Sequence, residues 1–560
     1  MMKKPNVKEM TIREKVGQCV CIRQYDLLQK TEVDEYLPRP LEERDEILQK
    51  NPYGVLWCAG NQNLKNINMS EKNYGNYKVT SDEYREWIKG LNKNWEIPGL
   101  MATDAESSGA GTIFSDLTIV GSGLSIGAAN SEELSYELGV AVGKELRCAG
   151  INWRWAPVAD LPSRFSMSCM RPFSLNPDQL VRLASAHIKG MQSVGVAATL
   201  KHFPGSDGYE YRDSHFTNAA LNISMEEWWE RQRKVFQKLI DSGAYSVMIA
   251  HETFESADDT MVNGKLIPST LSKKIITDLL KGKMGFEGVV ITDAVGMAGL
   301  QACYPYQQLL VELIKAGNDV LLGTGLDAVD ILEQAVLNGE LPEERVDDAC
   351  RRVLEMKEKL GLFDEDYRID EYRACEVTPR TREVDNLISE KSITLIRDKQ
   401  NRLPFDKNQV KKVSVICSTH DDTFMDRMEV LKAELEKMGM EVRMQRRLSS
   451  FEEIQEINQN SDLILYAAYL APHRPKGAMS FYDEECQTFG FAFTEGNEKS
   501  VGVSFGYPYI FYDFMGNADI CVNAYSTSDA TIKAFAKTLF GDLPMDGVSP
   551  VKLNPDRRVF

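Results

Sequence analysis

The sequence predicts an α/β protein in two parts. A TIM-type (β/α)8 barrel spans residues 1–365, a linker covers 366–390, and a smaller α/β sandwich domain takes 391–560. Three observations predict it. Short apolar runs alternate with amphipathic helical stretches through most of the first part, which is the mark of a parallel sheet. Polar residues able to do chemistry sit where those runs end, as at the C-terminal rim of a barrel. After Leu362 the chain turns charged and strandless before a second alternating pattern begins. A chain of 560 residues is also too long for one ordinary core.

Thr11-Ile12-Arg13-Glu14 is a capping-box pattern that opens a first helix. Strands are expected at GVLWC from Gly54, GLMATDAE from Gly99, INWRWAPVADL from Ile151 and VGVAATLKHF from Val194. Three more follow, at AYSVMIAHE from Ala244, GVVITDAVGM from Gly288 and NDVLLG from Asn318. Between them lie SEELSYELGVAVGKELRCAG and PDQLVRLASAHIKGMQSVG, each closed by the glycine that suits a helix C-terminus. Segment 63–95 reads as a long loop followed by a helix. Seven or more strand–helix units favour a barrel over a single dinucleotide-binding half. In the second part, strands are expected near Val410, Met440, Asp462, Lys499 and Ala518, and STSDATIKAFAKTLFG reads as a helix ending at Gly541.

Composition narrows the function. With 65 basic and 83 acidic residues the net charge is −18, which disfavours binding to nucleic acid or to anionic membranes. The N-terminal residues lack the apolar core of a signal peptide, and no apolar run has the length of a membrane span, so a cytoplasmic protein is expected. Eleven cysteines without C-x-x-C pairs read as buried free thiols in a reducing compartment.

The six histidines single out one stretch, KHFPGSDGYEYRDSHFTN from Lys201 to Asn218, which holds His202 and His215. In an extended segment Asp213 and His215 point the same way. The carboxylate can then fix the imidazole tautomer for general acid/base work near neutral pH, although such a pair also occurs in ordinary solvated loops. Asp293 ends the apolar run GVVITD, a position that suits a nucleophile or an electrostatic stabiliser and suits a helix N-cap equally. Lys201 can donate to substrate hydroxyls or amide oxygens. His202 and His251 fit either a site or a satisfied core histidine. Asp104, Glu106 and Asp160 lie at other run ends. Gly502-Val503-Ser504-Phe505-Gly506 matches G-x-S-x-G, but no helix pattern and no histidine follow it, so no serine-hydrolase site is read there. GSGLSIG at Gly121 lacks dinucleotide spacing, and neither a phosphate loop nor H-E-x-x-H is present. No cofactor and no metal are assigned.

Lys201-His202-Phe203-Pro204-Gly205 followed by Asp213-Ser214-His215 resembles the signature of β-N-acetylglucosaminidases in glycoside hydrolase family 3. The resemblance runs over most of the chain. It includes Glu14-Lys15-Val16-Gly17-Gln18, Ala156-Pro157-Val158-Ala159-Asp160, Arg171-Pro172-Phe173-Ser174, Val247 to His251, Gly288 to Asp293, Ser392 to Ile396 and Leu403-Pro404. It implies a retaining mechanism on a carbohydrate substrate, with Asp293 as nucleophile and His215, oriented by Asp213, as acid/base. It further implies that Asp104, Arg171, Lys201, His202 and His251 hold the sugar, with N-acetylglucosamine as the expected glycone. The sequence departs from the family pattern at Asp104-Ala105-Glu106-Ser107-Ser108 and at Ser206-Asp207-Gly208. Two alternatives stand beside hydrolysis: a phosphorylase using the same residues, and an inactive sugar-binding homologue.

Overall fold

A computed structural model describes residues 3–30, 36–38, 41–58, 79–106, 108–162, 164–166, 168–206, 210–421, 423–471, 492–493, 497–512, 514–554 and 556. The chain forms two compact units. The first comprises Met1–Ile119, Tyr136–Asp160 and Ala184–Thr381; the second comprises Val120–Ser135, Leu161–Leu183 and Arg382–Phe560.

Eight strands build the first unit: β1 (Val20–Arg23), β2 (Val55–Trp57), β3 (Leu100–Thr103), β4 (Trp153–Arg154), β5 (Ala197–Phe203), β6 (Ser246–Ile249), β7 (Val289–Thr292) and β8 (Leu321–Thr324). They pair in parallel in the order β7-β6-β5-β4-β3-β2-β1-β8. A parallel bridge between Ile291 and Val320 joins the two ends, with the Thr292 N–H donating to the Val320 carbonyl at 3.0 Å. The barrel predicted from the alternating runs is therefore present, and each of the seven expected strands is in place. β1, short and flanked by cysteines, is an eighth that the run pattern did not single out.

Apolar side chains fill the interior. Cys21, Val55, Leu100, Ala102, Trp153, Trp155, Ala197, Met248, Val289, Ile291 and Leu322 form one buried cluster. The Trp153 indole is satisfied inside it, donating to Thr199 Oγ1 (2.8 Å) and Ser246 Oγ (3.0 Å). Around the barrel, the helix Ile12–Gln18 opens on the Thr11–Glu14 capping box. The helices Glu132–Cys148 and Pro177–Gln192 are followed by Gly150 (φ 81°) and Gly195 (φ 76°), both left-handed as helix-closing glycines require. Of segment 63–95, the helix Ser81–Asn92 is present behind a Thr80–Glu83 capping box, and the loop ahead of it lies outside the described residues.

The second unit carries a six-stranded sheet, β9 (Thr394–Asp398), β10 (Lys412–Thr419), β11 (Glu441–Arg446), β12 (Leu463–Tyr469), β13 (Ser500–Ser504) and β14 (Ile520–Asn523). The order is β9-β14-β13-β12-β10-β11, all parallel except the β9–β14 pair. Successive residues of a strand face opposite sides. Val413, Val415, Leu463, Leu465 and Ala467 accordingly join one core, while Ile416, Ile464, Tyr466 and Ala468 join another. The sheet is thus covered on both faces, the sandwich that was expected.

The stretch read as a linker holds a helix, Ala374–Ser392. Val377, Thr381, Val384 and Ile388 supply its buried stripe, and Asp385 is buried with them. Its polar members mask the helical period. Among the ten described cysteines nine are buried and none is paired.

Lys357, on the helix Glu343–Lys359, is fully buried beneath the barrel and donates to Gln18 Oε1 at 2.6 Å. Burial pushes its ammonium down to about 7. The unfolded chain, titrating near the ordinary value of about 10.4, binds more protons between those limits, so this group makes stability rise with pH across that window. Urea unfolding of wild type and Lys357→Met at pH 7 and pH 9 measures it. The gap between the two proteins is expected to change with pH, and a constant gap would contradict the assignment.

Candidate active site

Every strand end named in the sequence delivers its polar residue to the same rim of the barrel. Asp104 follows β3, Asp160 lies beyond β4, Lys201 and His202 occupy the last turn of β5, His251 follows β6, and Asp293 follows β7. Lys201 is 2% exposed and lies between two carboxylates, Asp104 at 3.1 Å and Glu106 at 2.7 Å. The turn carrying those acids is held from below. Buried Arg154 donates through Nε to the Ala105 carbonyl (2.9 Å) and through Nη2 to that of Glu106, where Ala105 adopts φ 32°.

Two aspartate–histidine pairs share one geometry. The Asp160 carboxylate accepts from the His202 backbone N–H at 2.9 Å and from its ring Nδ1 at 2.8 Å. The Asp213 carboxylate accepts from the His215 backbone N–H at 2.9 Å and from its Nδ1 at 2.7 Å. Each carboxylate thereby fixes the Nδ1–H tautomer and turns Nε2 outward. His202 is anchored on a strand. His215 sits on a loop, more open, and its Nε2 meets no partner among the described residues.

That loop is braced on both flanks. Upstream, Gln232 donates to the Ser206 carbonyl at 2.7 Å and the Trp228 indole to that of Pro204 at 2.8 Å. Gly205 takes φ 112°, where a Cβ would meet Gln232. Downstream, Glu210 accepts from the Arg212 guanidinium and backbone, and from the Ala220 N–H at 2.9 Å. The Ala298 N–H donates to the His215 carbonyl at 3.1 Å, tying the dyad to the segment beyond Asp293. Residues 207–209, which hold most of the departure seen after Gly205, lie outside the described residues.

Asp293 accepts the Ala294 N–H at 2.7 Å. Burial alone would push this carboxyl up; the fields of His202, His251 and His215, with the Ala294 N–H, outweigh it and hold the acid at about 2. The group is an anion throughout the neutral range. His251 spends both ring nitrogens inside the protein. Nε2 donates to the Ala294 carbonyl (3.0 Å), and Nδ1 lies 2.6 Å from the Thr270 hydroxyl. Burial lowers its pKa, against the pull of Asp293. Both ring nitrogens of His251, expected to hold a sugar, are thus engaged within the protein, behind the backbone that follows Asp293.

Arg171 belongs to the second unit, where its N–H donates to the Ser168 carbonyl at 3.0 Å. Ser504 of the G-x-S-x-G stretch donates its hydroxyl to the Tyr507 carbonyl at 2.8 Å inside β13, consistent with no catalytic reading. Sequence reasoning passed over the pairing of Asp160 with His202, the contact of Glu106 with Lys201, and Glu252. A carboxyl at a strand end directly after His251 was the available signal for the last.

Eight parallel strands with acids and histidines gathered at their C-terminal ends define an enzyme of the (β/α)-barrel class. Residues 11–356, more than half of the sequence, match the family model described as Glycosyl hydrolase family 3 N terminal domain, and the chain belongs to glycosyl hydrolase family 3. A beta-N-acetylglucosaminidase/beta-glucosidase of Cellulomonas fimi is 25% identical over 493 residues, covering 84% of this chain and 87% of that one. A beta-hexosaminidase of Tolumonas auensis is 34% identical over 191 residues, 34% of this chain and 55% of that one, so this match spans about half the relative's length. Among solved structures, the beta-glucoside phosphorylase BglX superposes with a TM-score of 0.81 at 25% identity, covering 98% of this chain and 94% of that one.

Asp160→Ala releases the His202 ring. It is expected to lower kcat/KM on an aryl β-glycoside by about 10- to 100-fold, the cost of a lost charge-assisted hydrogen bond, mostly through KM and with unchanged circular dichroism. An unchanged KM would remove His202 from the sugar grip.

Proposed function

We propose that this family 3 glycosidase is exo-acting and retaining, and that it releases terminal β-linked N-acetylglucosamine. The observation that carries the reading is an ionised Asp293 sharing the barrel mouth with an aspartate-oriented histidine whose Nε2 is unengaged. In the first step an Asp293 oxygen attacks the anomeric carbon. The C1–O bond to the aglycone breaks as His215, in its imidazolium form, gives its Nε2 proton to the leaving oxygen and becomes the neutral Nδ1–H imidazole, and a glycosyl-aspartate ester forms. In the second, His215 takes a proton from water, the hydroxyl oxygen attacks C1, and the ester bond returns its electrons to Asp293. Asp213 keeps the Nδ1–H of the ring bonded through both steps, so that only Nε2 exchanges a proton. Asp104, Lys201 and His202 grip sugar hydroxyls. The names of the two curated relatives support an N-acetylhexosamine as the glycone.

A second reading is favoured by the acid/base itself. A histidine carries no fixed negative charge to repel phosphate, and the likeness to BglX points the same way. Phosphate would then replace water in the second step and yield a sugar 1-phosphate.

Release of p-nitrophenol from its β-N-acetylglucosaminide is expected from wild type. It should fall at least about 1,000-fold in Asp293→Ala, and about 100- to 10,000-fold in Asp213→Asn, the usual range for losing general acid/base catalysis. No turnover on any β-glycoside would sink both readings. Product analysis in phosphate buffer separates them, since free sugar alone excludes phosphorolysis.

A further inference from the structure

We propose that Glu252 is an additional sugar contact, giving a glycone hydroxyl a hydrogen bond on the side of the Asp160–His202 pair. The inference rests on the glycosidase reading above and adds a residue to it.

Glu252 lies at the catalytic rim, three residues past β6. Its backbone is fixed from several directions. The Ser269 N–H and hydroxyl both donate to its carbonyl, at 2.9 and 2.7 Å. On one side His251 is bonded to Ala294, next to the nucleophile. On the other, Thr253 donates to the Ala219 carbonyl (3.0 Å) and accepts from the Leu221 N–H (2.8 Å), just past the His215 loop. The side chain therefore leaves a rigid segment stretched between the two catalytic elements.

Its carboxyl is half-buried, yet it takes no hydrogen bond or ion pair from another residue among the described residues. A carboxyl drawn out of water without a partner is costly, and such groups gather where a ligand completes them. The charged groups acting on it are His202, Asp160 and Asp293, the groups that border the sugar. Burial pushes it up to about 7, with Asp160 and Asp293 adding to the shift and His202 opposing it. In its acid form it adds no further negative charge beside the nucleophile and offers an O–H to a sugar oxygen.

The test uses the full chain and p-nitrophenyl β-N-acetylglucosaminide with its 4-deoxy and 6-deoxy analogues. Glu252→Ala is expected to lose about 10- to 30-fold in kcat/KM, the loss expected for one hydrogen bond of this kind, with an unchanged melting temperature. Glu252→Gln, which keeps a donor, should stay within about threefold of wild type. One deoxy analogue should cost wild type but not Glu252→Ala, the signature of a shared contact in a double-mutant cycle. An alanine variant within twofold of wild type, or one that keeps every deoxy penalty, overturns the proposal. If the alanine variant does not fold, Glu252→Met takes its place, and a methionine variant that keeps every deoxy penalty overturns the proposal instead. An inactive wild type refutes the glycosidase reading and this inference together, whereas an active wild type with an indifferent Glu252 refutes only the inference.

Discussion

The barrel mouth has to keep the Asp293 carboxylate ionised where burial works against it. An apolar interior packed with Trp153, Trp155 and branched side chains strips water from the strand ends, and desolvation is the largest influence on this acid. The Ala294 N–H meets the carboxylate directly, and three histidines surround it electrostatically. Ala294 is itself fixed through its carbonyl by His251, which Thr270 backs in turn. A buried histidine with both ring nitrogens engaged is therefore part of the Asp293 environment.

The two aspartate–histidine pairs show how one local geometry serves two purposes. In each, a single carboxylate takes both the backbone N–H and the ring Nδ1–H of its histidine, which removes the freedom of the ring to flip. The difference lies in the support beneath. His202 rises from a strand whose next residue, Phe203, packs edge-on against Trp228 and Phe236, so it is suited to hold. His215 sits on a braced but more exposed loop and is suited to exchange protons with whatever enters.

Local features of the sequence were legible and long-range ones were not. Strand runs ending in acids and histidines gave the barrel and its rim, because in a parallel barrel every strand delivers its C-terminal residue to one face. Asp213 and His215 could be paired because they are two residues apart. Asp160 and His202 are 42 apart, and only the adjacency of β4 and β5 joins them. The helix Ala374–Ser392 escaped notice because its buried stripe includes Thr381 and Asp385. Arg154 is a buried charge within the apolar run of β4. It is a brace for the turn that presents Asp104 and Glu106.

The second unit is not continuous in sequence, and this bears on how the chain can be made. Leu124, Ala128 and Cys169 belong to a core whose other members include Ile416, Leu448, Ile464 and Tyr466. Val548 donates to the Ala128 carbonyl, and Leu175 to that of Pro550. During synthesis these early segments leave the ribosome some two hundred residues or more before their partners, on the order of ten seconds or longer at typical elongation rates. Over that interval they are apolar chain without a core. An enzyme cut back to its N-terminal half would keep them in that state permanently, so solubility of a truncated barrel is a matter of these two short insertions rather than of the barrel itself.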